Sequence, residues 1–545
     1  MERPWLQFYE EGVPRRIDYP RIPLNRILED TVREFPENDA IIFKGRRITY
    51  RELGGWVRDL ASGLHAMGVV QGQRVAIMLP NCPQYIAAYF AVLTIGGVVV
   101  NVNPMYVERE LAHQLADAGA EAILALRDFL PRIEAAKAQT PLKTIIVTDL
   151  DEHEKGVPAG GGRLPSGVCE YREVLAKGKG VPPPVVAVDA DEVALLQYTG
   201  GTTGVSKGAM LTHYNLVSNV IQCVLWNPGA EKGKERMLAV LPFFHVYGMT
   251  VAMNEAIYLG AAILLLPRFQ IDEMLEAINA YQPTRFPGVP TMYIGINNHP
   301  EVRKYRISSI KVCSSGSAPM PLESMRRFEE LTGAKISEGY GLTEASPVTH
   351  ANPFFGKRKV GSIGLPRPDT DAKIVDLDTG DRQLPPGEEG ELCIRGPQVM
   401  KGYWNRPEET ARSLRDGWLH TGDIAKMDED GYFYIVDRKK DMIICGGYNV
   451  YPREVEEALY LNPKVLEACA VGVPDAYRGE TVKAFVVLKK GEAANAEEII
   501  DFCRRNLARY KVPTLVEFRD QLPKSHVGKV LRKILREEEE RGRAK

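Results

Sequence analysis

The chain has 545 residues, room for about three to four structural units of roughly 150 residues each, which excludes a small scaffold held together by disulfides. Its 69 Lys and Arg residues nearly balance 71 Asp and Glu residues, so we exclude nucleic acid binding through a broadly basic surface. With 44% hydrophobic and 26% charged residues, the composition is that of a globular protein rather than of a disordered one.

The eight cysteines are widely spaced, so no close pair is available for zinc or redox chemistry, and a reduced, cytosolic location is expected. The N-terminal sequence MERPWLQFYEEG is acidic where a signal peptide would be apolar, so we expect no export. The most apolar stretch, residues 85–100, is interrupted by Gly96 and Gly97. It predicts a buried helix leading into a buried strand rather than a membrane span.

From Leu24 onward, segments with helical periodicity alternate with short β-rich runs. Helical spacing covers residues 24–32, a strand-like run follows at residues 40–43, and a second amphipathic helix covers residues 53–67. Further strands are predicted at residues 74–79, 98–102, 122–126, 145–147 and 193–196. This alternation predicts crossover connections, hence an α/β fold with mostly parallel sheets covered by helices on both faces.

Two breaks interrupt the alternation. Residues 151–184 carry glycine and proline clusters at either end and little to bury, which predicts a surface excursion. Residues 437–441, DRKKD, are five consecutive charges between apolar runs. We therefore expect a large N-terminal domain at 1–436, a hinge at 437–441 and a small α+β domain at 442–545.

The predicted small domain contains strands at residues 468–473 and 482–488 and helices near residues 494–507 and 529–536. Residues 536–545 are expected to form a solvated charged tail.

A segment rich in glycine and hydroxyl groups, TGGTTGVSKG at residues 199–208, follows the predicted strand at residues 193–196. Glycine lets the backbone approach an anion, hydroxyls and amides donate to its oxygens, and Lys207 adds positive charge. The segment therefore predicts a phosphate-binding loop. The alternative, a flexible linker, is disfavoured between a buried strand and the apolar residues 209–211.

Known nucleotide loops and hydrolase motifs fit less well. The residues around Lys207 lack the Walker spacing, and the dinucleotide fingerprint that begins at Gly339 has Glu344 where its third glycine belongs. Residues 204–208 match the G-x-S-x-G elbow of serine hydrolases, but six glycines and threonines separate the predicted strand from Val205 and Ser206. A hydrolase that uses Ser206 stays a disfavoured alternative, as does a nucleotide-binding protein without catalysis.

Residues 199–207 resemble the phosphate-binding signature of the adenylate-forming superfamily, which includes acyl-CoA synthetases, luciferases and adenylation domains of peptide synthetases. Three more segments resemble its signatures: GYGLTE at 339–344, WLHTGD at 418–423 and PKSHVGK at 523–529. Residues 416–440 and the NVNP sequence at 101–104 look most like bacterial long-chain fatty acid CoA ligases. The aromatic residues of FFHVYG at 243–248 differ from many relatives, which leaves the acyl entrance less defined.

The resemblance implies a role for each motif. Tyr340 would lie along the adenine, Thr343 would meet the α-phosphate, and Asp423 and Arg438 would contact the ribose. The implied catalytic residues are Lys529, Glu344 and Thr202, with Glu344 also holding Mg²⁺. The implied ATP- or AMP-binding residues are Thr199, Gly200, Gly201, Thr202, Thr203, Gly204, Lys207, Gly339, Tyr340, Gly341, Thr343, Asp423, Arg438 and Lys529. The implied acyl and CoA region comprises His245, Gly316, Gly446 and Gly447, and the implied hinge includes Asp437 and Lys439.

The resemblance therefore implies a long-chain fatty acid CoA ligase with ATP and coenzyme A as co-substrates and Mg²⁺ as the metal. The alternatives are a ligase for medium-chain or aryl acids and an enzyme that loads a separate carrier protein. No nucleic acid partner is expected. A cytoplasmic location, peripheral contact with the inner membrane face and a homodimer are all compatible with this interpretation.

Overall fold

The computed structural model describes residues 3–152, 164–199, 206–439, 441–445, 448–475, 478–525 and 530–543. The chain divides into two units. The larger comprises Leu6–Thr370 and Arg395–Leu414, and the smaller comprises Met1–Trp5, Asp371–Ile394 and Arg415–Lys545. The predicted boundary at residues 437–441 remains a prediction about which parts of the chain move.

The first sheet of the larger unit has eight strands and confirms the predicted parallel core. It is parallel from Val193–Thr199 to Val168–Glu170 and antiparallel at its other edge. The apolar runs of the central strands are buried throughout, as a sheet covered on both faces requires. In spatial order the strands are Gly402–Tyr403, Lys207–Thr212, Val193–Thr199, Val98–Asn101, Arg74–Met78, Ala122–Leu126, Thr144–Thr148 and Val168–Glu170.

The second sheet of the larger unit has nine strands. Its central strands, from Lys335–Gly341 to Asp39–Phe43, are parallel, and antiparallel strands close both edges. In spatial order they are Leu365–Pro366, Val348–Ala351, Lys335–Gly341, Val312–Ser315, Arg285–Gly288, Arg236–Ala239, Ala262–Leu265, Asp39–Phe43 and Arg46–Thr49.

The helices of this unit begin where local sequence favours it. Thr49 and Glu52 form a capping box at the start of the helix Tyr50–Ala66, and Pro83 occupies the first position of the buried helix Pro83–Thr94. The other α-helices are Asn25–Glu34, Glu108–Ala118, Leu130–Lys137, Tyr171–Gly178, His213–Leu225, Val246–Gly248, Glu255–Tyr258, Ile271–Tyr281, Pro290–Asn298, Leu322–Thr332 and Pro407–Ser413, and Met249–Asn254 is π-helical.

The surface excursion predicted for residues 151–184 is wrong in its second half. The helix Tyr171–Gly178 packs against the helix Tyr50–Ala66, with Tyr171 buried. A β-carbon at Gly178 would overlap the backbone of Asp59. Glycine at this position thus lets two helix backbones touch, and sequence periodicity alone does not reveal such close packing.

The smaller unit contains two mainly antiparallel sheets. One is ordered Asp371–Val375, Gly390–Arg395, Trp418–Met427 and Leu414–Arg415, with Phe433–Arg438 also paired to Trp418–Met427. The other is ordered Tyr448–Val450, Ile443–Cys445, Gly479–Leu488 and Val465–Asp475, with Leu515–Phe518 parallel to Gly479–Leu488. Its α-helices are Pro452–Tyr460, Ala496–Asn506 and Arg532–Arg543.

The strands and helices expected at residues 468–507 are confirmed, but the charged tail is helical as far as Arg543. Leu535 is fully buried and anchors this helix, while Glu537 pairs with Lys533 and Arg541 one turn away on either side. Opposite charges at helical spacing therefore favour a helix here, which the prediction of a solvated charged tail did not include.

Candidate active site

The predicted phosphate loop connects two antiparallel strands. Thr199 ends the strand Val193–Thr199 and is the register partner of Lys207, which begins the strand Lys207–Thr212. Of the predicted loop residues, Gly200, Gly201, Thr202, Thr203 and Gly204 lie outside the described residues.

This arrangement contradicts the serine hydrolase alternative. Ser206 directly precedes the strand Lys207–Thr212, whereas a nucleophile elbow requires the serine on a turn from a strand into a helix.

The predicted magnesium ligand, Glu344, lies beside this hairpin. The short turn Thr343–Ala345 packs against both of the hairpin strands. Oε1 of Glu344 accepts a hydrogen bond from the Tyr403 hydroxyl at 2.7 Å. Tyr403 belongs to the edge strand Gly402–Tyr403 and is the register partner of Ala209, two residues beyond Lys207.

Lys207 reaches the same tyrosine. Its Nζ lies 5.4 Å from the centroid of the Tyr403 ring and 3.6 Å from Oε1 of Glu409. Lys207 and Glu344 were predicted from two different motifs, and both contact the same aromatic side chain. Burial raises the pKa of the Tyr403 phenol, and the negative charge of Glu344 raises it further, so the hydroxyl remains a donor at neutral pH.

The sequence analysis did not identify Tyr403 and Glu409 as site residues. Tyr403 is 59 residues from Glu344 in the chain and lies in a two-residue strand, which is too short to carry a periodic pattern. Only the pairing of this strand with Lys207–Thr212 brings Tyr403 to the site, and that pairing is long-range.

The other residues of the GYGLTE motif at 339–344 lie where two antiparallel strands approach closely. A β-carbon at Gly339 would lie 3.0 Å from the carbonyl oxygen of His350, and one at Gly341 would overlap the backbone of Pro347. Tyr340 meets His350 edge-on with ring centroids 6.1 Å apart. The two glycines thus let the strand Val348–Ala351 approach closely.

Glu344 fits a magnesium ion that arrives with a nucleotide. Within the described ranges, no group of three His, Cys, Asp or Glu side chains is placed to hold a metal ion. Magnesium bound with a nucleotide needs only one or two protein carboxylates, because phosphate oxygens and water complete its shell. A single half-buried carboxylate whose orientation is fixed by Tyr403 meets that requirement.

The proposed ribose-binding pair lies in the smaller unit, on adjacent antiparallel strands. Asp423 and Arg438 are register partners, and Nε of Arg438 lies 3.2 Å from Oδ1 of Asp423. Asp423 is only 7% exposed, and its backbone N–H donates to the Thr421 hydroxyl at 3.1 Å. The structure therefore brings together two residues for which the family resemblance implies the same role.

The proposed hinge residues are tied down within the smaller unit. The buried Asp437 carboxylate accepts a hydrogen bond from the Arg453 backbone N–H at 2.8 Å and lies 3.6 Å from Arg532. Nζ of Lys439 donates to the carbonyl oxygen of Leu377 at 2.9 Å. Burial raises the pKa of Asp437, and the charge of Arg532 opposes that shift.

Arg532 is the centre of a cluster of carboxylates. Its Nη2 lies 2.6 Å from Oε2 of Glu456, and its Nη1 lies 3.5 Å from Oδ2 of Asp441 as well as close to Asp437. Burial alone would lower the pKa of Arg532, but Glu456 and Asp437 outweigh it and raise that pKa. We call Arg532, Asp437, Asp441 and Glu456 the hinge cluster.

The predicted acyl residues His245 and Gly316 are linked by Tyr247. Nδ1 of His245 accepts a hydrogen bond from the Tyr247 backbone N–H at 3.2 Å, and the Tyr247 hydroxyl lies 3.0 Å from the carbonyl oxygen of Ser314. A β-carbon at Gly316 would lie 3.2 Å from the Tyr247 ring. The other predicted residues of the acyl, CoA and catalytic sets, Gly446, Gly447 and Lys529, lie outside the described residues.

Two family models match the chain: an AMP-binding enzyme over residues 28–404 and an AMP-binding enzyme C-terminal domain over residues 454–529. The long-chain-fatty-acid–CoA ligase of Bacillus subtilis (strain 168) is 48% identical over 551 residues, covering 99% of this chain and 98% of that protein. The ligase of the same name from Yersinia pestis is 43% identical, with the same coverage.

Among solved structures, the anthranilate CoA ligase AuaEII in complex with anthranoyl-AMP matches with a TM-score of 0.86. It is 26% identical, and the match covers 96% of this chain and 98% of that one.

Proposed function

The chain belongs to the AMP-binding enzymes, and on that basis we propose that it is an AMP-forming long-chain fatty acid CoA ligase. ATP and coenzyme A are its co-substrates. The observation that carries the proposal is that Lys207 and Glu344 both contact Tyr403, because this places a lysine predicted to bind phosphate near a carboxylate suited to a nucleotide-bound cation. The high identity to curated ligases over the whole chain supports the same conclusion.

The proposed reaction has two steps. A fatty carboxylate oxygen attacks the α-phosphorus of ATP, forming acyl-AMP as the bond to pyrophosphate breaks. The sulfur of coenzyme A then attacks the acyl carbon, loses its proton, and releases AMP. Activation is needed because a carboxylate repels nucleophiles, whereas AMP is a good leaving group.

The chain's residues would neutralise and orient the phosphates. Lys207 supplies a positive charge at the start of its strand, and Thr202 and Lys529 would donate to oxygens on which charge develops. Glu344 would hold Mg²⁺, which supplies charge neutralisation on the phosphate oxygens when bound. Tyr403 keeps the Glu344 carboxylate oriented for that task.

The remaining motifs are proposed either to bind the nucleotide or to allow the small domain to rotate. Asp423 would accept hydrogen bonds from the ribose hydroxyls, assisted by Arg438. The proposed small domain, residues 442–545, would turn about the hinge at 437–441 relative to residues 1–436, withdrawing Lys529 after the first step. Gly446 and Gly447 would then border the pantetheine channel, while His245 and Gly316 border the acyl pocket.

The long-chain preference is proposed from the curated relatives, and an aryl-acid ligase is the second candidate. The structural match to an anthranilate CoA ligase supports that alternative, since anthranilate is an aryl acid. Pyrophosphate release with acetate, octanoate, palmitate, oleate and benzoate, each with and without coenzyme A, decides between them. We expect the highest kcat/KM with palmitate and oleate, since each buried methylene adds about 0.8 kcal/mol. A preference for benzoate would overturn the assignment.

No helix in the described part of the chain has the length and apolar character needed to cross a bilayer. We propose a cytoplasmic location with reversible contact at the inner membrane face, because long-chain acids partition into bilayers. A homodimer is part of the same proposal. Co-sedimentation with liposomes tests the membrane contact, and failure to co-sediment would contradict it. Light scattering tests the homodimer, and a monomeric mass would contradict that.

A further inference from the structure

A buried chain of hydrogen bonds joins the strand before the phosphate loop to the backbone just before His245. Gln197 lies two residues before Thr199 on the strand Val193–Thr199. Its Oε1 accepts a hydrogen bond from Nδ2 of Asn101 at 2.9 Å, and its Nε2 donates to the carbonyl oxygen of Phe244 at 2.9 Å. Gln197 and Asn101 are only 4% and 3% exposed.

The chain continues through Asn101, the first residue of the NVNP sequence. Oδ1 of Asn101 accepts a hydrogen bond from the Tyr85 hydroxyl at 2.6 Å, and the same hydroxyl lies 2.8 Å from the carbonyl oxygen of Phe243. Asn101 and Gln197 are register partners on adjacent parallel strands, so sheet pairing holds the two amides side by side.

The carbonyl oxygen of Phe244 determines how both amides are oriented, while the single hydroxyl proton of Tyr85 lies between two acceptors, Oδ1 of Asn101 and the carbonyl oxygen of Phe243. A carbonyl oxygen can only accept, so Gln197 must turn its NH₂ group toward Phe244 and its oxygen toward Asn101. Asn101 must then present its NH₂ group to Gln197 and its oxygen to Tyr85. Reversing one amide would therefore leave buried groups unsatisfied along the whole chain.

The segment that these side chains hold has little regular structure of its own. Residues 240–245 connect the strand Arg236–Ala239 to the helix that begins at Val246. Asn81 also holds the segment, since its Nδ2 donates to the carbonyl oxygen of Leu241 at 3.0 Å and its Oδ1 accepts from the Phe243 N–H at 2.8 Å. Buried backbone groups need partners, and here side chains provide them.

We propose that Gln197 and Asn101 are positioning residues, which set the location of Phe244 and His245 relative to Thr199 and Lys207 on the two strands that flank the phosphate loop, and thereby determine how the fatty acid is presented to ATP. This inference rests on the proposed function, since only that function gives His245 an acyl role. The carboxylate must reach the α-phosphorus in line with the leaving group, so the two substrate sites must be held in register. Gln197 lies on the strand that leads to the phosphate loop, and its side chain bonds to the Phe244 carbonyl beside the proposed acyl site.

The test is Gln197→Glu, which keeps the size and the acceptor but places a carboxylate oxygen against the Phe244 carbonyl. We expect the KM for palmitate to rise about ten- to hundredfold, the range for a buried group left unsatisfied. The KM for ATP should change by less than about threefold, because among the described residues the Gln197 side chain bonds to Asn101 and to the Phe244 carbonyl rather than to a proposed nucleotide-binding residue.

Gln84→Glu is the matched control. Gln84 is fully buried on the helix Pro83–Thr94, and its Nε2 donates to the carbonyl oxygen of Asp149 at 2.8 Å. The control therefore makes the same chemical change against a carbonyl that is not part of the acyl segment, and its palmitate KM should stay at the wild-type value. Equal effects of the two substitutions, or a Gln197→Glu enzyme in which both KM values rise together, would overturn the proposal.

Tyr85→Phe keeps the inference testable if Gln197→Glu does not fold, because it removes only one hydroxyl. We expect a smaller rise in the palmitate KM, about three- to tenfold, and an unchanged KM would count against the network. Failure of the proposed function would look different: the wild-type enzyme would release no pyrophosphate with any fatty acid, whereas failure of the network alone leaves the wild type active.

Discussion

Arg532→Met should destabilise the smaller unit by removing the central cation of the hinge cluster. Methionine retains much of the side-chain volume but no charge. Glu456 and Asp437, whose side chains are 14% and 2% exposed, then lose their guanidinium partner, whereas Asp441 keeps Arg536 at 3.4 Å. Removing one partner of a buried ion pair costs about 3–5 kcal/mol. Because Arg532 itself is 21% exposed, we expect a loss of about 3 kcal/mol.

The loss should depend on pH. Burial raises the pKa of Glu456 from 4.5 and of Asp437 from 3.8, with Arg532 opposing both shifts. Removal of Arg532 raises both folded-state pKa values further, so the folded variant binds more protons than the unfolded chain. The destabilisation is therefore smallest at a pH below the pKa values of these carboxyls in the unfolded chain. It grows as the pH rises from there through their higher pKa values in the folded variant.

The destabilisation is measured by hydrogen exchange and mass spectrometry of peptides from residues 430–475. Exchange rates are compared between pH 5 and 8 after correction for intrinsic exchange. Arg541→Met on the same helix is the control, because Arg541 is 78% exposed and pairs with Glu537 at 3.3 Å on the surface. It should change stability by less than about 0.5 kcal/mol. Equal protection in the two variants, or a difference that does not vary with pH, would refute the assignment of a buried ionic cluster.

Three further substitutions test the proposed catalytic roles. Lys529→Ala should slow acyl-AMP formation by about 10² to 10³, while conversion of supplied acyl-AMP and coenzyme A survives; single-turnover assays separate the steps, and equal damage to both contradicts a one-step role. Glu344→Gln should raise the Mg²⁺ concentration needed for half-maximal activity, because an amide oxygen carries no charge; a wild-type titration curve argues against it. Asp423→Ala should raise the KM for ATP, and unchanged steady-state kinetics would remove Asp423 from the site.

The parallel core of the larger unit could be predicted because its strands are continuous apolar runs. The strand Ala122–Leu126 was placed to the residue for this reason. The helix Tyr171–Gly178 was missed because its packing depends on the absence of a side chain at Gly178, which reads in the sequence as a turn signal. Local patterns thus report burial of side chains well and close contact between backbones poorly.

The same distinction between local patterns and long-range contacts applies to the residues of the candidate active site. Lys207 and Glu344 were predicted because each belongs to a contiguous motif that resembles the family's signatures. Tyr403 was missed because its place beside them depends on a strand pairing with Ala209, far away in the chain. The hydrogen-bond network around Gln197 could not be predicted for the same reason. The amides of Asn101 and Gln197 become neighbours through parallel strand pairing, which local sequence does not reveal.

The edge strand Gly402–Tyr403 has a consequence for synthesis of the chain. It completes the sheet beside Lys207–Thr212 only after the ribosome has also made Asp371–Ile394, which belongs to the other unit. At roughly 5 to 20 residues per second, the nascent chain takes on the order of ten to forty seconds to grow from Thr212 to Gly402. During that interval the outer edge of Lys207–Thr212 is unpaired and open to mispairing with other strands. Ribosome-bound chains that end before Gly402 should therefore require chaperone protection that chains extending past Leu414 do not.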